Sequence, residues 1–309
     1  MKNLLFTSTL FLIVNFSFAQ TKIENDLTRD GLKGKVSFYS ESKYDLVEKF
    51  GEIEKGRRGD KSTYKYDVMG IKIEGKHYIA DGSADGSFGH KETYKYDLKG
   101  NNIEMNIYNA DGSLSSKITF KYDEKGNMIE QNLGMAEAKY GSLNWKITYK
   151  YDEKGNMIEY NNYFADGSLN YKNTYTYKYD VKGNKIEYNN YIEYNIDRPD
   201  VSLSYESKYD EKGNKIESIS YKADGSLSSK STYKYDEKGN MIEENSCNAN
   251  GSLMSKTTYK YEFDTMGNWI KKTCITDDSS INDPSDVVIF VVTDGSYGSY
   301  LIERVIEYY

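Results

Sequence analysis

Histidine, cysteine and proline are scarce in this chain, with two of each among 309 residues. The scarcity of histidine limits the available chemistry: His77 and His90 are the only imidazoles, and no cysteine or third histidine stands at ligand spacing from them, so no metal site is expected. There is no Gly-x-Ser-x-Gly, no His-Glu-x-x-His and no complete phosphate-binding loop. Carboxylate neighbours such as Asp152 with Glu153, or Glu243 with Glu244, are produced wholesale by the internal repeat and do not single out a glycosidase pair. The expectation is therefore a non-enzymatic protein that needs no cofactor. The two prolines, Pro199 and Pro284, fall in irregular links.

Long apolar runs are also lacking, with one exception at the start. Lys2 precedes a largely apolar stretch from Leu4 to Phe18, and Ser17-Phe18-Ala19 offers small residues where a signal peptidase reads, so residues 1–19 read as a signal peptide cleaved before Gln20. No cysteine follows that position to carry a lipid, and no later segment approaches the length of a membrane helix. Export is expected, to the periplasm, the cell envelope or beyond. The charge balance of 41 basic and 48 acidic residues gives −7, spread as mixed Lys and Glu, which makes a poor nucleic-acid platform. Cys247 and Cys274 stand eight and seven residues past their repeat glycines, on opposite faces of strands separated by another strand. A disulfide and two free thiols both stay open.

What the chain does have is a repeat. Units like Ser231-Thr-Tyr-Lys-Tyr-Asp-Glu-Lys-Gly-Asn-Met-Ile-Glu243 return with their glycines at Gly70, Gly100, Gly126, Gly155, Gly183, Gly213, Gly239 and Gly267, a spacing of 26 to 30 residues. Thr-Tyr-Lys-Tyr alternates aromatic and polar residues, the pattern of a half-buried strand. Asp-x-x-Gly reads as a loop in which Asp bonds the backbone ahead and Gly takes a positive φ. A second strand such as Asn156 to Tyr163 leads to Asp166-Gly167, which reads as a two-residue type I′ turn. The fold class expected is all-β, an elongated array of antiparallel β-hairpins, about 28 residues and two strands per repeat, eight repeats with N- and C-terminal caps. Its divisions are the signal peptide at 1–19, a cap strand region at 20–60, the repeats at 61–272 and a capping hairpin at 273–309.

If the first loop has four residues and the second two, parity assigns the faces. Tyr96, Tyr122, Tyr151, Tyr179, Tyr209 and Tyr235 then share a core face with Ile73, Ile103, Ile129, Ile158, Ile186, Ile216, Ile242 and Ile270, joined by Leu114, Leu169, Leu227 and Leu253. Lys, Thr, Glu and Asn take the other face. Tyr78, Tyr108, Tyr163, Tyr191 and Tyr221, each eight residues past a repeat glycine, fall on that polar face as an exposed ladder with rungs roughly 9.5 Å apart. Aromatics among amides and carboxylates suit stacking on sugar rings, so these five are the candidate ligand-binding residues. The competing reading is that they pack against lysine stems in a purely structural envelope protein.

The ends are less regular. Val36 to Asp45 reads as a leading strand and Phe50 to Ile53 as a distorted copy of the Gly-Asn-x-Ile step; Gly56 to Asp60, which contains Arg-Gly-Asp, reads as a solvated turn. The turn between His77 and His90 is doubled, and the third and fifth repeats replace the second turn with Lys139-Tyr-Gly141 and Asp197-Arg-Pro-Asp200. Val287 to Val292 and Tyr300 to Tyr309 read as a hairpin covering the open end of the array.

The recurring Tyr-x-Tyr-Asp-x-x-Gly-Asn-x-Ile, as in Tyr177 to Ile186, resembles the YD-repeat (Rhs-like) family over about Thr63 to Ile270. The resemblance implies an exported or surface-associated β-sheet protein linked to carbohydrate binding, cell contact or, in large members, shells that enclose a toxin. The chain departs from the family in having Asn where Arg often follows Gly, in its small size and in lacking a toxin tail. A glycan or surface polymer is the expected partner.

Overall fold

The computed structural model describes residues 25–80, 86–135, 145–181, 183–194, 204–222, 224–278 and 299–309. The expected signal peptide, the doubled turn at 81–85, the links around 139–141 and 197–200, and the Val287 to Val292 run lie outside the described residues. A single helical turn, α1 (Asp26–Arg29), precedes β1 (Val36–Lys49) and β2 (Glu52–Tyr66). The chain continues as β3 (Lys72–Ile79), β4 (Ser87–Tyr96), β5 (Asn102–Asn109), β6 (Leu114–Tyr122), β7 (Met128–Met135) and β8 (Trp145–Tyr151). Next come β9 (Met157–Tyr163), β10 (Leu169–Tyr179), β11 (Lys185–Tyr194), β12 (Ser204–Tyr209) and β13 (Lys215–Tyr221). The last are β14 (Leu227–Tyr235), β15 (Met241–Asn248), β16 (Leu253–Phe263), β17 (Trp269–Asp278) and β18 (Tyr300–Tyr308). Every strand pairs antiparallel with the next, and β18 pairs with β1 from Asp45↔Tyr300 to Val36↔Tyr308.

The all-β expectation stands, but the elongated, end-capped array does not: the sheet is a closed 18-stranded barrel. The terminal strand at Tyr300–Tyr308 covers no open end; it closes the ring between β17 and β1. Gly56 to Asp60 is not a turn either, because it lies within β2.

The cause of closure is local. In each repeat the Asp-x-x-Gly loop has three residues: the Asp152 N–H donates to the Asn156 carbonyl at 2.9 Å and Gly155 N–H to the Asp152 carbonyl at 3.0 Å, with Gly155 at φ +83°. The Asp-Gly turn is built the same way, Phe164 N–H to the Ser168 carbonyl and Gly167 N–H to the Phe164 carbonyl, and so is not type I′. The type I′ pair is instead Phe50-Gly51, with φ of +54° and +85°, between β1 and β2. Two odd loops would flip alternate strands, and a bulge after each restores the parity. Lys150 pairs with Glu159 and Tyr151 with Met157, leaving Ile158 as the inserted residue; Tyr163 pairs with Leu169 and Asn162 with Tyr171, leaving Asn170. A bulge bends its strand and increases twist, so bulges repeated around the array curl it until its edges meet.

The bulges also reassign side chains. The repeat isoleucines do not join the tyrosine face; from Ile73 (50% exposed) to Ile158 (37% exposed) they sit at or beside inserted positions in contact with water. Leu114, Leu169 and Leu227 stand directly opposite Tyr108, Tyr163 and Tyr221, hence on the polar face and not the core face. Lys95 opposite Glu104 and Thr93 opposite Asn106 keep the polar face polar, while Tyr94 and Tyr96 keep to the other.

Asp and Asn fix the loops. Asp152 Oδ1 accepts from the N–H groups of Lys154 and Asn156, and Asn156 Nδ2 donates to Asp152 Oδ2 at 2.8 Å. The tyrosine before the Asp has a second task. Pairing of β6 with β5 ends at Thr119↔Glu104, short of the rim, and there the Tyr122 hydroxyl donates to the Asn102 carbonyl at 2.8 Å. Tyr151 to the Met128 carbonyl and Tyr235 to the Lys215 carbonyl repeat the tie, while ahead of Asp180 and Asp264 it is made two residues earlier, by Tyr177 to the Met157 carbonyl and Tyr261 to the Met241 carbonyl.

Among the described residues one cluster of buried apolar side chains stands out. Leu27, Leu32, Val36, Tyr39 and Tyr66 cluster where residues 25–35 cross the strand ends, with Tyr64 and Ile306 against them. That segment is a clasp over the closing seam. Asp26 Oδ2 accepts from Lys72 N–H and the Tyr96 hydroxyl, the Tyr66 hydroxyl donates to Asp30, and Lys33 N–H donates to Asn268 Oδ1 at 2.7 Å. Elsewhere most of the described tyrosine face is half-buried, with Tyr175 and Cys274 among the buried exceptions.

Candidate functional site

The register places Tyr78, Tyr108, Tyr163, Tyr191 and Tyr221 on the polar face, opposite Lys61, Lys91, Lys146, Thr174 and Ser204. They do not form an evenly exposed ladder: Tyr191 is 47% exposed and the other four are half-buried. Tyr78 meets Phe88 edge-on at 5.7 Å, and the Tyr221 hydroxyl donates to Glu206 Oε2 at 3.1 Å, burial and this bond raising the phenol pKa. The row is broken at β7, where Gly134 holds the equivalent position.

The missing ring opens a cleft of about 720 Å³. Lys117, Thr119, Asn132, Lys146 and Thr148 line it with Tyr163 and Phe164; Trp145, which pairs with Leu133 and so belongs to the tyrosine face, meets it at the start of β8. A smaller cleft of about 390 Å³ repeats the arrangement one unit earlier, with Lys91 and Thr93 below Tyr108 and Phe88. Sequence reasoning found the tyrosines but missed Gly134, Trp145 and Phe164; the signal available was that the third repeat breaks the tyrosine spacing.

A belt of ion pairs runs round the same face. Glu104 lies 2.7 Å from Lys95 and 2.6 Å from Lys117; Glu130 lies 2.6 Å from Lys121 and 3.0 Å from Lys146; Glu159 and Glu243 bridge lysines alike. Hydrogen bonds from Lys117 and Lys95 hold the Glu104 carboxyl down at about 2, and Lys121 does the same for Glu130. The cleft lysines are therefore ion-paired, one carboxylate serving two lysines, and the floor offers hydroxyl, amide and ammonium groups.

On the tyrosine face the two histidines meet. His77 on β3 and His90 on β4 are cross-strand partners with rings stacked at 4.3 Å, and Glu92 Oε1 lies 3.3 Å from His77 Nε2 and 3.6 Å from His90 Nε2. Burial works to raise the Glu92 pKa, but hydrogen bonds from His77 and Tyr94 bring it down to about 2. Sequence spacing had offered no third ligand; the fold supplies Glu92. Cys247 and Cys274 are both free thiols on opposite faces, Cys247 opposite Lys230 on the polar face and Cys274 opposite Tyr259 on the tyrosine face.

Among the described residues no helix is long and apolar enough to cross a membrane. Both faces of the barrel carry charge among the described residues. The ion-pair belt occupies one face, and the other carries Lys72, Glu92, Glu244, Lys272 and Arg304 among its tyrosines.

No protein-family model matches the sequence, and no curated protein matches it. Solved structures with a partial likeness include a porin-like protein from Bacteroides uniformis ATCC 8492, at 12% identity and TM-score 0.44, covering 89% of this chain and 98% of that one. A second porin-like protein, from Bacteroides vulgatus ATCC 8482, has 12% identity, TM-score 0.39 and the same coverage. The TcdB2-TccC3 complex, a YD-repeat (Rhs) toxin, has 13% identity and TM-score 0.39 over 77% of this chain, which spans 14% of that one. The similarity to the YD-repeat family is thus weak and partial.

Proposed function

We propose that this chain is an exported, non-enzymatic barrel that binds carbohydrate through the polar face, with the Gly134 cleft as its principal subsite. One observation carries the reading: where the tyrosine row is interrupted, Tyr163 and Phe164 line a cleft together with Thr119, Asn132 and Thr148. Flat aromatic rims beside hydroxyl and amide groups fit a pyranose, whose apolar face stacks while its hydroxyls bond below. A neutral glycan is the ligand tested first, because it needs only the hydroxyl, amide and aromatic groups of the cleft. The mixed acidic composition and the apolar N-terminal stretch support placement in the cell envelope or outside the cell.

A second reading has its own observation. Tyr108, Tyr163 and Tyr221 each face a leucine across the turn, so the tyrosines could serve only to pack hairpin ends in a structural envelope protein. A neutral-glycan array followed by calorimetry on the mature protein separates the two. Binding that falls at least tenfold in Tyr163→Ala and Phe164→Ala, with unchanged far-UV spectra, supports the carbohydrate site. An array with no saturable ligand leaves the structural reading.

A further inference from the structure

The geometry points to a divalent transition-metal site of the zinc type, held by His77, His90 and Glu92 on the tyrosine face of the β3–β4 hairpin. The three donor atoms lie within 4.8 Å of one another. Ligands about 2.05 Å from a tetrahedral zinc are roughly 3.3 Å apart, so the separations of 3.3 Å and 3.6 Å from Glu92 Oε1 to the two Nε2 atoms need little adjustment. Two imidazoles and a carboxylate favour zinc, cobalt or nickel over calcium or magnesium, and leave a fourth position for water or another ligand.

Independent features point the same way. His77 Nε2 is buried 3.3 Å from Glu92 Oε1 without the alignment of a hydrogen bond, while its Nδ1 lies 2.9 Å from Ser62 Oγ on β2. A bond at Nδ1 of this kind fixes ring orientation and leaves Nε2 for a metal. Glu92 is oriented likewise, since the Tyr94 hydroxyl donates to its other oxygen.

The repeat supplies an internal control. At the place of Glu92 the later units carry Ile118, Ile147, Tyr175, Tyr205, Ser231 or Tyr259, at the place of His77 Ile107, Leu133, Asn162, Asn190, Ser220, Ser246 or Cys274, and at the place of His90 Ser116, Trp145, Asn173, Leu203, Ser229 or Thr257. Opposite Glu92 stands Gly75, where other units have Met105, Gln131, Tyr160 or Lys272. A Cβ at Gly75 would come within 2.8 Å of Glu92 Oε2 and 2.9 Å of Tyr94 Oη. Departures from the repeat at four face positions therefore converge on one patch, bringing in three ligands and removing the side chain that would crowd them.

The test is titration of the chelator-treated, full-length mature protein with Zn²⁺ and Co²⁺ at neutral pH. One equivalent should bind per chain, and the Co²⁺ spectrum should show nitrogen and oxygen ligation without thiolate charge-transfer bands. Glu92→Gln and His90→Gln should each weaken Zn²⁺ at least tenfold, and Ser62→Ala by about tenfold through loss of the orienting bond. No saturable binding, unchanged affinity in folded Glu92→Gln protein, or a thiolate spectrum would overturn the site. The wild-type spectrum decides the matter even if a variant fails to fold.

Discussion

Gly155 and Gly70 occupy the same place in their repeats with nearly the same backbone, φ +83° and +80°, but in different surroundings. A Cβ on Gly155 would meet nothing nearer than Asn127 Oδ1 at 3.9 Å; on Gly70 it would lie 2.4 Å from Asn25 Nδ2 and 2.8 Å from Leu27 Cδ1, both in the clasp. Gly155→Ala should therefore cost only the left-handed backbone penalty, about 1–2 kcal/mol. Gly70→Ala should carry the same penalty plus overpacking of about 1–3 kcal/mol. Urea unfolding followed by intrinsic fluorescence measures both, the midpoint shift giving the difference where the slope is unchanged. In an Asn25→Ala, Leu27→Ala background the excess at Gly70 should vanish, because the atoms that a Cβ would strike are gone. Equal losses at the two sites, or an excess that survives in that background, would refute the claim that residues 25–35 are packed onto this turn.

Two other outcomes follow from the wall itself. Glu104, Glu130 and Glu159 are held near 2 against an ordinary 4.5 by lysine hydrogen bonds, led by Lys117, Lys121 and Lys150 respectively. A depressed carboxylate pKa stabilises the fold fully above the unfolded value and loses that contribution as pH falls towards the folded one. The urea midpoint should thus decline between about pH 4.5 and 2, more steeply at low salt; a flat midpoint across that window would show the belt to be inert. Tyr122→Phe removes the hydroxyl that meets the Asn102 carbonyl at the rim, and should cost about 0.5–1.5 kcal/mol by the same urea assay. No measurable loss would mean that water serves the carbonyl equally well.

The strands, the Asp and Gly roles in the loops and the separation of Tyr from Lys and Glu were legible because each follows from a period of two and from turn chemistry within a few residues. The parity argument placed Tyr163 and Glu159 on one face for an incomplete reason. It assumed even loops, whereas the hairpin uses an odd loop and a compensating bulge at Ile158. That compensation spared the strand faces but displaced the isoleucines and leucines, which stand beside the bulges. Closure was not legible, because pairing of Val36 with Tyr308 joins residues with nothing between them locally to signal it. The clasp escaped for a similar reason: Asn25 to Lys35 carries no repeat pattern, and its partners, Gly70, Tyr96 and Asn268, are far along the chain. Of the metal cluster the two histidines were visible, but Glu92 became a third ligand only when β3 and β4 set His77 opposite His90.

Closure also explains why the chain relies on tyrosine. Eighteen strands at ordinary spacing and tilt make a ring roughly 35 Å across, too wide for side chains to fill, so most of the wall is a single layer with water within reach of both faces. Leucine or valine on such a wall would expose a continuous apolar surface, and serine or threonine would bury too little. Tyrosine supplies a large area that pairs with its neighbours, as Tyr149, Tyr160 and Tyr171 do at 5.5 and 5.7 Å, and a hydroxyl that can hydrogen-bond, as Tyr149 does to Gln131 and Tyr160 with Tyr171. The same hydroxyl, placed one residue before the turn Asp, reaches the carbonyl left over where the ladder between hairpins stops short of the rim. Phenylalanine could provide the area but not that bond, which gives a physical reason for Tyr-x-Tyr-Asp as the unit from which a thin closed wall is built.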